Sequence, residues 1–250
     1  MKAIFVEFYK TRRRYLWVVV GGLLFVQILW SLWGISRFDE HDLEQGWLFY
    51  LYQFPLLNSI MMPVIVAVLA SRMSDIEHKG ETFRALETIL SSGTLINAKL
   101  ACGLIYLLVT VFFQVVAILF IGITVGFTGQ IPFDAFALYF LFTVVIGLAI
   151  FLFQLILSML IPNQMVSLAV GVMGSFIALF SLYFPQGVQK FYIWGYYGVM
   201  MFVGMDWDRA TRITDFHWVP VDWAGFLLLL IHILVIYIIG RVLFAKKEMV

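Results

Sequence analysis

Residues 100–127 read LACGLIYLLVTVFFQVVAILFIGITVGF, a run of 28 positions without a charged side chain. A helix rises about 1.5 Å per residue, so about 20 apolar residues cross a hydrocarbon core of roughly 30 Å. The composition agrees, because 63% of all residues are hydrophobic and 12% are charged, whereas soluble domains carry about 25% charged residues. The stretch therefore predicts a membrane-spanning helix in an all-α integral membrane protein.

Five further apolar segments are long enough to cross a membrane. They cover residues 15–35, 47–70, 135–161, 165–184 and 223–243. With residues 100–127 they make six predicted spans in one transmembrane domain, residues 1–250. An even number of spans places both termini on the same side of the membrane.

Residues 1–14 precede the first span and predict a short amphipathic helix. Apolar side chains at Met1, Ile4, Phe5 and Phe8 share one side, and Lys2, Glu7 and Lys10 share the other. This spacing is typical of a helix that lies in the membrane interface with its apolar side down. The alternative is that residues 11–14 are simply the positive flank of the first span.

Lysine and arginine are distributed unevenly between the two sides of the predicted topology. Twelve lie on the side of the termini (Lys2, Lys10, Arg12, Arg13, Arg14, Arg72, Lys79, Arg84, Lys99, Arg241, Lys246, Lys247) and four on the other (Arg37, Lys190, Arg209, Arg212). Because cytoplasmic loops are enriched in positive charge, the side with twelve is predicted to be cytoplasmic.

The opposite, outer side carries a long mixed segment, residues 185–222. Its apolar part is short and interrupted by glycine, which favours a re-entrant or interfacial hairpin over a further span. Seven of the eight tryptophans map to this outer interface. Tryptophan is common at headgroup depth, but the asymmetry indicates an elaborate outer surface.

The most charge-dense segment lies on the cytoplasmic side, between the second and third spans. Ser74 followed by Glu77 predicts a helix N-cap, and Ser91, Ser92 and Gly93 predict its end. The predicted helix, residues 74–92, has an apolar stripe (Ile76, Phe83, Leu86, Leu90) opposite a polar one (Glu77, His78, Glu81, Arg84, Thr88). It could rest on the headgroups, or it could be a coupling helix whose apolar stripe fits a groove on a soluble partner.

The residues show no pattern of catalytic or metal chemistry. No glycine is followed by lysine, so a phosphate-binding loop is absent, and the four histidines are dispersed. The spans carry neutral polar groups, of which Gln27, Asn58, Gln114 and Gln154 are the candidates for a substrate path. The alternative is that these groups join helices by hydrogen bonds.

The charged segment also carries a sequence motif. Glu77-x-x-Gly80-x-Thr82-x-Arg84-x-Leu86, followed by Lys99 at the start of the third span, resembles the signature of ABC-2 type transporter permeases. The layout of six spans with an N-terminal helix and an outer hairpin is similar as well. Two departures are Glu81, which separates Gly80 from Thr82, and Ser91-Ser92, which stands where a proline-containing turn is common.

The resemblance implies that Glu77, Gly80, Thr82, Phe83, Arg84, Leu86 and Lys99 couple the permease to a separate ATPase. It implies no cofactor in this chain, with ATP and Mg²⁺ held by two copies of an ATP-binding subunit. A second permease subunit, homologous or identical, would complete the complex in a bacterial plasma membrane.

The length and the aromatic outer segment resemble the permeases of lantibiotic immunity and bacitracin resistance, which implies export of antimicrobial peptide from the membrane. Three alternatives remain at this point. The chain could be a permease for another lipophilic or drug-like substrate, a non-transporting membrane scaffold, or a membrane enzyme acting on lipids.

Overall fold

In the computed structural model of this protein, the described residues are 2–12, 15–79 and 92–248. Within these ranges the chain forms ten α-helices, two 3₁₀ turns and one pair of strands. The helices are α1 Lys2–Arg12, α2 Leu16–Ser31, α3 Glu40–Glu44, α4 Gly46–Lys79, α5 Ser92–Val125, α6 Phe133–Leu160, α7 Gln164–Ser181, α8 Gln186–Gln189, α9 Tyr196–Val199 and α10 Trp223–Glu248. The strands are β1 Val203–Trp207 and β2 Thr214–Trp218, and the 3₁₀ turns are Ile35–Arg37 and Ile193–Gly195.

Six helices in the described ranges are long and apolar enough to cross a membrane: α2, α4, α5, α6, α7 and α10. This confirms the predicted number of spans and the mainly helical class. The helices extend beyond the predicted spans at the end of the bundle where α4 runs to Lys79 and α5 starts at Ser92. Apolar composition marks the membrane-embedded part of a helix, but a helix continues into water while its backbone hydrogen bonds persist.

Helix α4 lies at the centre of the bundle, packed between α6 and α7. Its contact with α7 is close at Gly171, where an added Cβ would lie 2.4 Å from the Cβ of Ala67. Small residues at such positions let two helix backbones approach, which is the usual basis of helix packing in lipid. By contrast, most of the apolar surface of α10 is exposed.

The predicted helix start at Ser74 is wrong. Ser74 lies inside α4, which continues without interruption to Lys79. Ser92 and Gly93, predicted as a helix end, are the first residues of α5. An N-cap residue begins a helix only where its own backbone is non-helical. The residues before Ser74 are already helical, so the capping pattern has no effect there. The remainder of the predicted coupling helix, residues 80–91, lies outside the described residues.

Helix α1 forms as predicted over Lys2–Arg12, and its polar side faces the protein. Glu7 and Thr11 are buried, whereas Phe5 and Tyr9 are exposed. Phe8 stacks on Tyr106 of α5. This orientation leaves Phe5 and Tyr9 exposed, which is compatible with the predicted interfacial position. The interfacial position itself stays a prediction.

Residues 185–222, predicted as a re-entrant or interfacial hairpin, contain a pair of β-strands that the sequence analysis did not predict. Entry of this segment into the membrane stays a prediction. Strands β1 and β2 pair antiparallel, with Asp206 opposite Asp215. Each aspartate has a histidine beside it: His217 Nδ1 lies 3.2 Å from Asp206, and His41 Nε2 lies 2.9 Å from Asp215. The hairpin is closed by Asp208, which accepts hydrogen bonds from the backbone of Ala210 and the hydroxyl of Thr211. This turn chemistry lies within a mixed stretch with no clear alternation, so the strands were hard to predict.

Candidate functional site

Four charged side chains meet where α1, α4 and α5 come together. We call Glu7, Lys10, Glu77 and Lys99 the charge quartet. Lys10 Nζ lies 2.9 Å from Glu7 Oε1 and 3.0 Å from Glu77 Oε1. Lys99 Nζ lies 2.9 Å from Glu7 Oε2 and 2.8 Å from Glu77 Oε2. Each lysine therefore bridges both glutamates, and each carboxylate uses both oxygens.

Three members of the quartet are buried and Lys10 is partly exposed, and the local sequence explains how the quartet assembles. Glu7 and Lys10 are three residues apart and so share one face of α1. Glu77 projects from the last turns of α4, and Lys99 from the second turn of α5. Lys99 and Glu77 are 0% exposed, and Lys99 also donates a hydrogen bond of 2.8 Å to the carbonyl oxygen of Met73.

The charges of the quartet cancel, and this neutrality decides whether it can remain buried. An isolated charge in a low-dielectric site is strongly unfavourable, whereas a closed set of opposite charges with good geometry offsets much of the desolvation cost. Burial acts to lower the pKa of Lys10, but Glu77 and Glu7 outweigh it, so this pKa is raised above its usual value. The stabilisation from Lys10 is thus fully present at neutral pH and is lost only as the pH rises through the raised pKa.

Neighbouring contacts hold the same end of α4 to the rest of the bundle. His78 Nε2 lies 2.8 Å from the carbonyl oxygen of Ser158, which joins α4 to α6. Asp75 and Lys79 form an ion pair of 3.0 Å one turn apart on α4. The last described turn before residue 80 is therefore tied to three other helices: α1, α5 and α6.

A second polar cluster lies farther along the helices, about 22 Å from Lys99 along α5 at 1.5 Å per residue. It consists of Gln27, Asn58, Gln114 and Tyr139, one side chain from each of α2, α4, α5 and α6. Hydrogen bonds of 2.7–3.3 Å join the four groups to one another. All four side chains are buried. We call this set the amide cluster.

At the end of the bundle opposite the charge quartet, a cavity of about 600 Å³ lies beside the start of α6. Trp47 and Trp218 contribute aromatic walls, and Glu44 and Asp134 contribute carboxylates. Both carboxylates are exposed. No lysine or arginine lines the cavity among the described residues. Its chemistry favours an apolar or aromatic group that carries positive charge.

Residues 3–178 match the family model described as "ABC-2 family transporter protein". The match spans α1 through most of α7 and includes the whole charge quartet. The chain belongs to this family. No curated protein and no solved structure matches the chain.

Membership of the ABC-2 family makes the chain a multi-pass membrane permease of an ABC transporter. Permeases of this family are transport components that typically have no ATPase site of their own. Membership also implies that the chain works with an ABC ATP-binding subunit. The six apolar helices agree with that role in the membrane.

Two of the predicted coupling residues of this ABC-2 permease meet in the structure, and the others cannot be placed. Glu77 and Lys99 are partners in the charge quartet. Gly80, Thr82, Phe83, Arg84 and Leu86 lie outside the described residues. The sequence analysis put Glu77 on a polar stripe facing away from the apolar one; instead its side chain is fully buried.

Sequence reasoning missed Glu7 and Lys10 as members of the site. The available signal was an oppositely charged pair three residues apart, Glu7 and Lys10, within the mainly apolar residues 3–10. We interpreted it as the water-facing side of an interfacial helix. The pair faces inward because α4 and α5 each present one buried charge of the sign it needs.

The four candidates for a substrate path fall into two groups. Gln27, Asn58 and Gln114 belong to the amide cluster, where they use their polar atoms on one another and on Tyr139. Gln154 lies apart and contacts Ser167, which joins α6 to α7. This arrangement is the one expected of groups that join helices, and the substrate path stays a prediction.

Proposed function

We propose that this permease is a subunit of an ATP-driven exporter. In this proposal the charge quartet transmits the movement of the ATPase to the membrane-spanning helices. The observation that carries the proposal is the position of the quartet relative to residues 80–91. Glu77 lies three residues before this segment, Lys99 lies eight residues after it, and the two side chains contact each other at 2.8 Å. A partner bound to residues 80–91 would therefore act on both ends of the segment together.

The buried contacts support transmission of force rather than local bending. Because Glu77 and Lys99 also bind Glu7 and Lys10, displacement of the segment would move α1, α4 and α5 as one unit. Buried ion pairs have narrow geometric requirements, so they resist independent motion of the helices that carry them. In this proposal Phe83 and Leu86 contact the ATPase and Gly80, Thr82 and Arg84 fix the orientation of the segment.

The partners in this proposal follow from the need for ATP hydrolysis outside the chain. Two copies of an ABC ATP-binding subunit hold ATP and Mg²⁺, and a second permease subunit, homologous or identical, completes the membrane part. Both termini face the cytoplasm of a bacterial cell, as the uneven distribution of lysine and arginine indicates.

The proposed substrate is an antimicrobial peptide of the lantibiotic kind, moved from the membrane to the outside for self-protection or resistance. The outer cavity supports this choice, since Trp47 and Trp218 suit apolar side chains and Glu44 and Asp134 suit basic ones. Such peptides reach the outer leaflet first, and the cavity lies on the side of the chain proposed to face outward.

Cysteine labelling tests the proposed orientation. The native Cys102 is buried, so it contributes little background. In intact cells we expect Glu44→Cys to react with a membrane-impermeant maleimide and Lys79→Cys to react only after permeabilisation. Both positions are exposed, so access to the reagent decides the result. If only Lys79→Cys were labelled in intact cells, the true orientation would be the reverse of the proposed one.

Variants in residues 80–91 test the coupling role. We expect Phe83→Asp and Arg84→Glu to reduce the ATPase subunit that co-purifies with the permease by about tenfold, the effect of about 1.4 kcal/mol of lost contact energy. Peptide export should fall in parallel. Glu40→Gln, an exposed change on the other side, is the control and should leave both unchanged. Normal co-purification and export in both variants would show that this segment is not the ATPase contact.

A further inference from the structure

A groove lies along the end of α10, near the start of α5, and the proposed coupling does not use it. Tyr237, Ile238, Arg241 and Val242 line a space of about 340 Å³ there. Arg241 is 18 residues after Trp223, which places it about 27 Å along α10 from the other membrane surface. The groove is therefore at headgroup depth, on the side of the membrane that also holds the charge quartet.

The guanidinium group of Arg241 is held in place by its surroundings. Its Cζ lies 5.8 Å from the centre of the Tyr237 ring. The Tyr237 hydroxyl donates a hydrogen bond of 2.7 Å to Asn97 Oδ1 on α5. A Cβ added at Gly93 would lie only 2.6 Å from Nη2 of Arg241, so the absence of a side chain at Gly93 creates the space for this group.

The charge of Arg241 is not balanced by a carboxylate in the part of the chain that the structure describes. Arginine offers a planar set of donors that matches the oxygens of a phosphate. The walls beside it are apolar, and Ile238 and Val242 are both about half exposed. A cation at headgroup depth beside an apolar groove on a lipid-facing helix is an arrangement suited to an anionic lipid.

We infer that Arg241 binds the phosphate of an anionic phospholipid, whose acyl chain packs against Ile238 and Val242. The inference goes beyond the proposed coupling and does not depend on it. A lipid suits this groove better than a protein carboxylate, because α10 is the least buried of the spanning helices and the groove continues its lipid-facing surface. A zwitterionic headgroup suits it less, since its ammonium group would be repelled by Arg241.

The site also has a structural link to the charge quartet. Asn97 and Lys99 are two residues apart, so their side chains point about 200° from each other around α5. The start of α5 is thus held by the quartet on one face and by the groove on the other. Binding of lipid at Arg241 should stabilise the same turns of α5 that the quartet positions.

Thermal unfolding of the full chain in detergent micelles tests the site. The probe is dioctanoyl phosphatidylglycerol, with dioctanoyl phosphatidylcholine and inorganic phosphate in parallel titrations. We expect phosphatidylglycerol to raise the unfolding midpoint of the wild type in a saturable way, because a ligand that binds only the folded state stabilises it. Phosphatidylcholine and inorganic phosphate should have much smaller effects.

Two variants make the test specific. Arg241→Gln removes the charge, and Gly93→Ala displaces the guanidinium group while leaving the charge present. Each should weaken the apparent affinity for phosphatidylglycerol about tenfold, equivalent to about 1.4 kcal/mol. Arg72→Gln removes an exposed charge on α4 and is the matched control, which should bind as the wild type does.

Three results would overturn the inference. Unchanged phosphatidylglycerol binding in both Arg241→Gln and Gly93→Ala would remove Arg241 from the site. An equal response to inorganic phosphate would indicate a site for free anions rather than lipid. If Arg241→Gln and Gly93→Ala bound phosphatidylglycerol normally but lost the co-purifying ATPase subunit, the groove would be a contact for a protein partner instead.

Discussion

Replacing Glu77 by glutamine is expected to destabilise the permease by about 3–5 kcal/mol, because it leaves Lys99 and Lys10 facing a single carboxylate in a buried site. For a chain of this size the unfolding midpoint should fall by roughly 10 °C. Lys99→Met should have an effect of similar size, since it leaves Glu7 and Glu77 with only one cation. Transport should fall more steeply than the amount of folded protein if the quartet also transmits force.

Thermal unfolding in nanodiscs and peptide export from cells measure the two effects separately. Glu40→Gln removes an exposed carboxylate and should change stability by no more than about 0.5 kcal/mol. The double change Glu77→Gln with Lys10→Met leaves the neutral pair of Glu7 and Lys99, whose charged groups lie 2.9 Å apart, and should recover part of the lost stability. A Glu77→Gln protein that unfolds within 2 °C of the wild type, a margin of about 1 kcal/mol, would mean that the quartet is not a structural link.

Replacing Asn58 by leucine is expected to produce the second largest loss of stability. Asn58 takes part in four of the hydrogen bonds of the amide cluster, with Gln27, Gln114 and Tyr139. Hydrogen bonds between membrane helices contribute about 0.6 kcal/mol on average and at most about 1.7, so the total loss should be about 2–3 kcal/mol. The partners would be left in a buried site without water to replace Asn58.

The same variant distinguishes packing from a substrate path. If the cluster only joins helices, the Asn58→Leu protein should export peptide with an unchanged KM when it is assayed at a temperature low enough for it to remain folded. Tyr139→Phe keeps the ring and removes one hydroxyl, so it should cost about 1 kcal/mol and serves as the graded control. A large rise in KM for Asn58→Leu, with little change in stability, would support the substrate path instead.

Single residues near the charge quartet show how far sequence reasoning could reach. The family pattern selects Glu77 and Lys99 among seven coupling residues but predicts no contact between them; the structure places the two side chains together. Serine and glutamate in the spacing of Ser74 and Glu77 are typical of a cap, which predicts a helix start at Ser74. The interior of α4 overrides this preference, since the backbone of Ser74 already has helical neighbours on both sides.

The amide cluster and the outer hairpin differ in how predictable they were. Polar residues inside spans are rare, so Gln27, Asn58 and Gln114 stand out against an apolar background. The participation of Tyr139 in the cluster does not stand out in the sequence, because tyrosine is common in spans. The hairpin depends on the turn at Asp208 and on contacts with residues far away in sequence, such as the backbone N–H of Phe216 donating to Gln45.

The amino-acid sequence by itself determined the membrane class, the six spans and the chemistry available in them. These follow from local composition, because each span needs only about 20 consecutive apolar residues to be stable in lipid. Tertiary structure alone decided that Glu7, Lys10, Glu77 and Lys99 form one closed set. In a membrane protein the polar side of a helix can turn inward, since lipid accepts the apolar side, and only packing selects which buried charges meet.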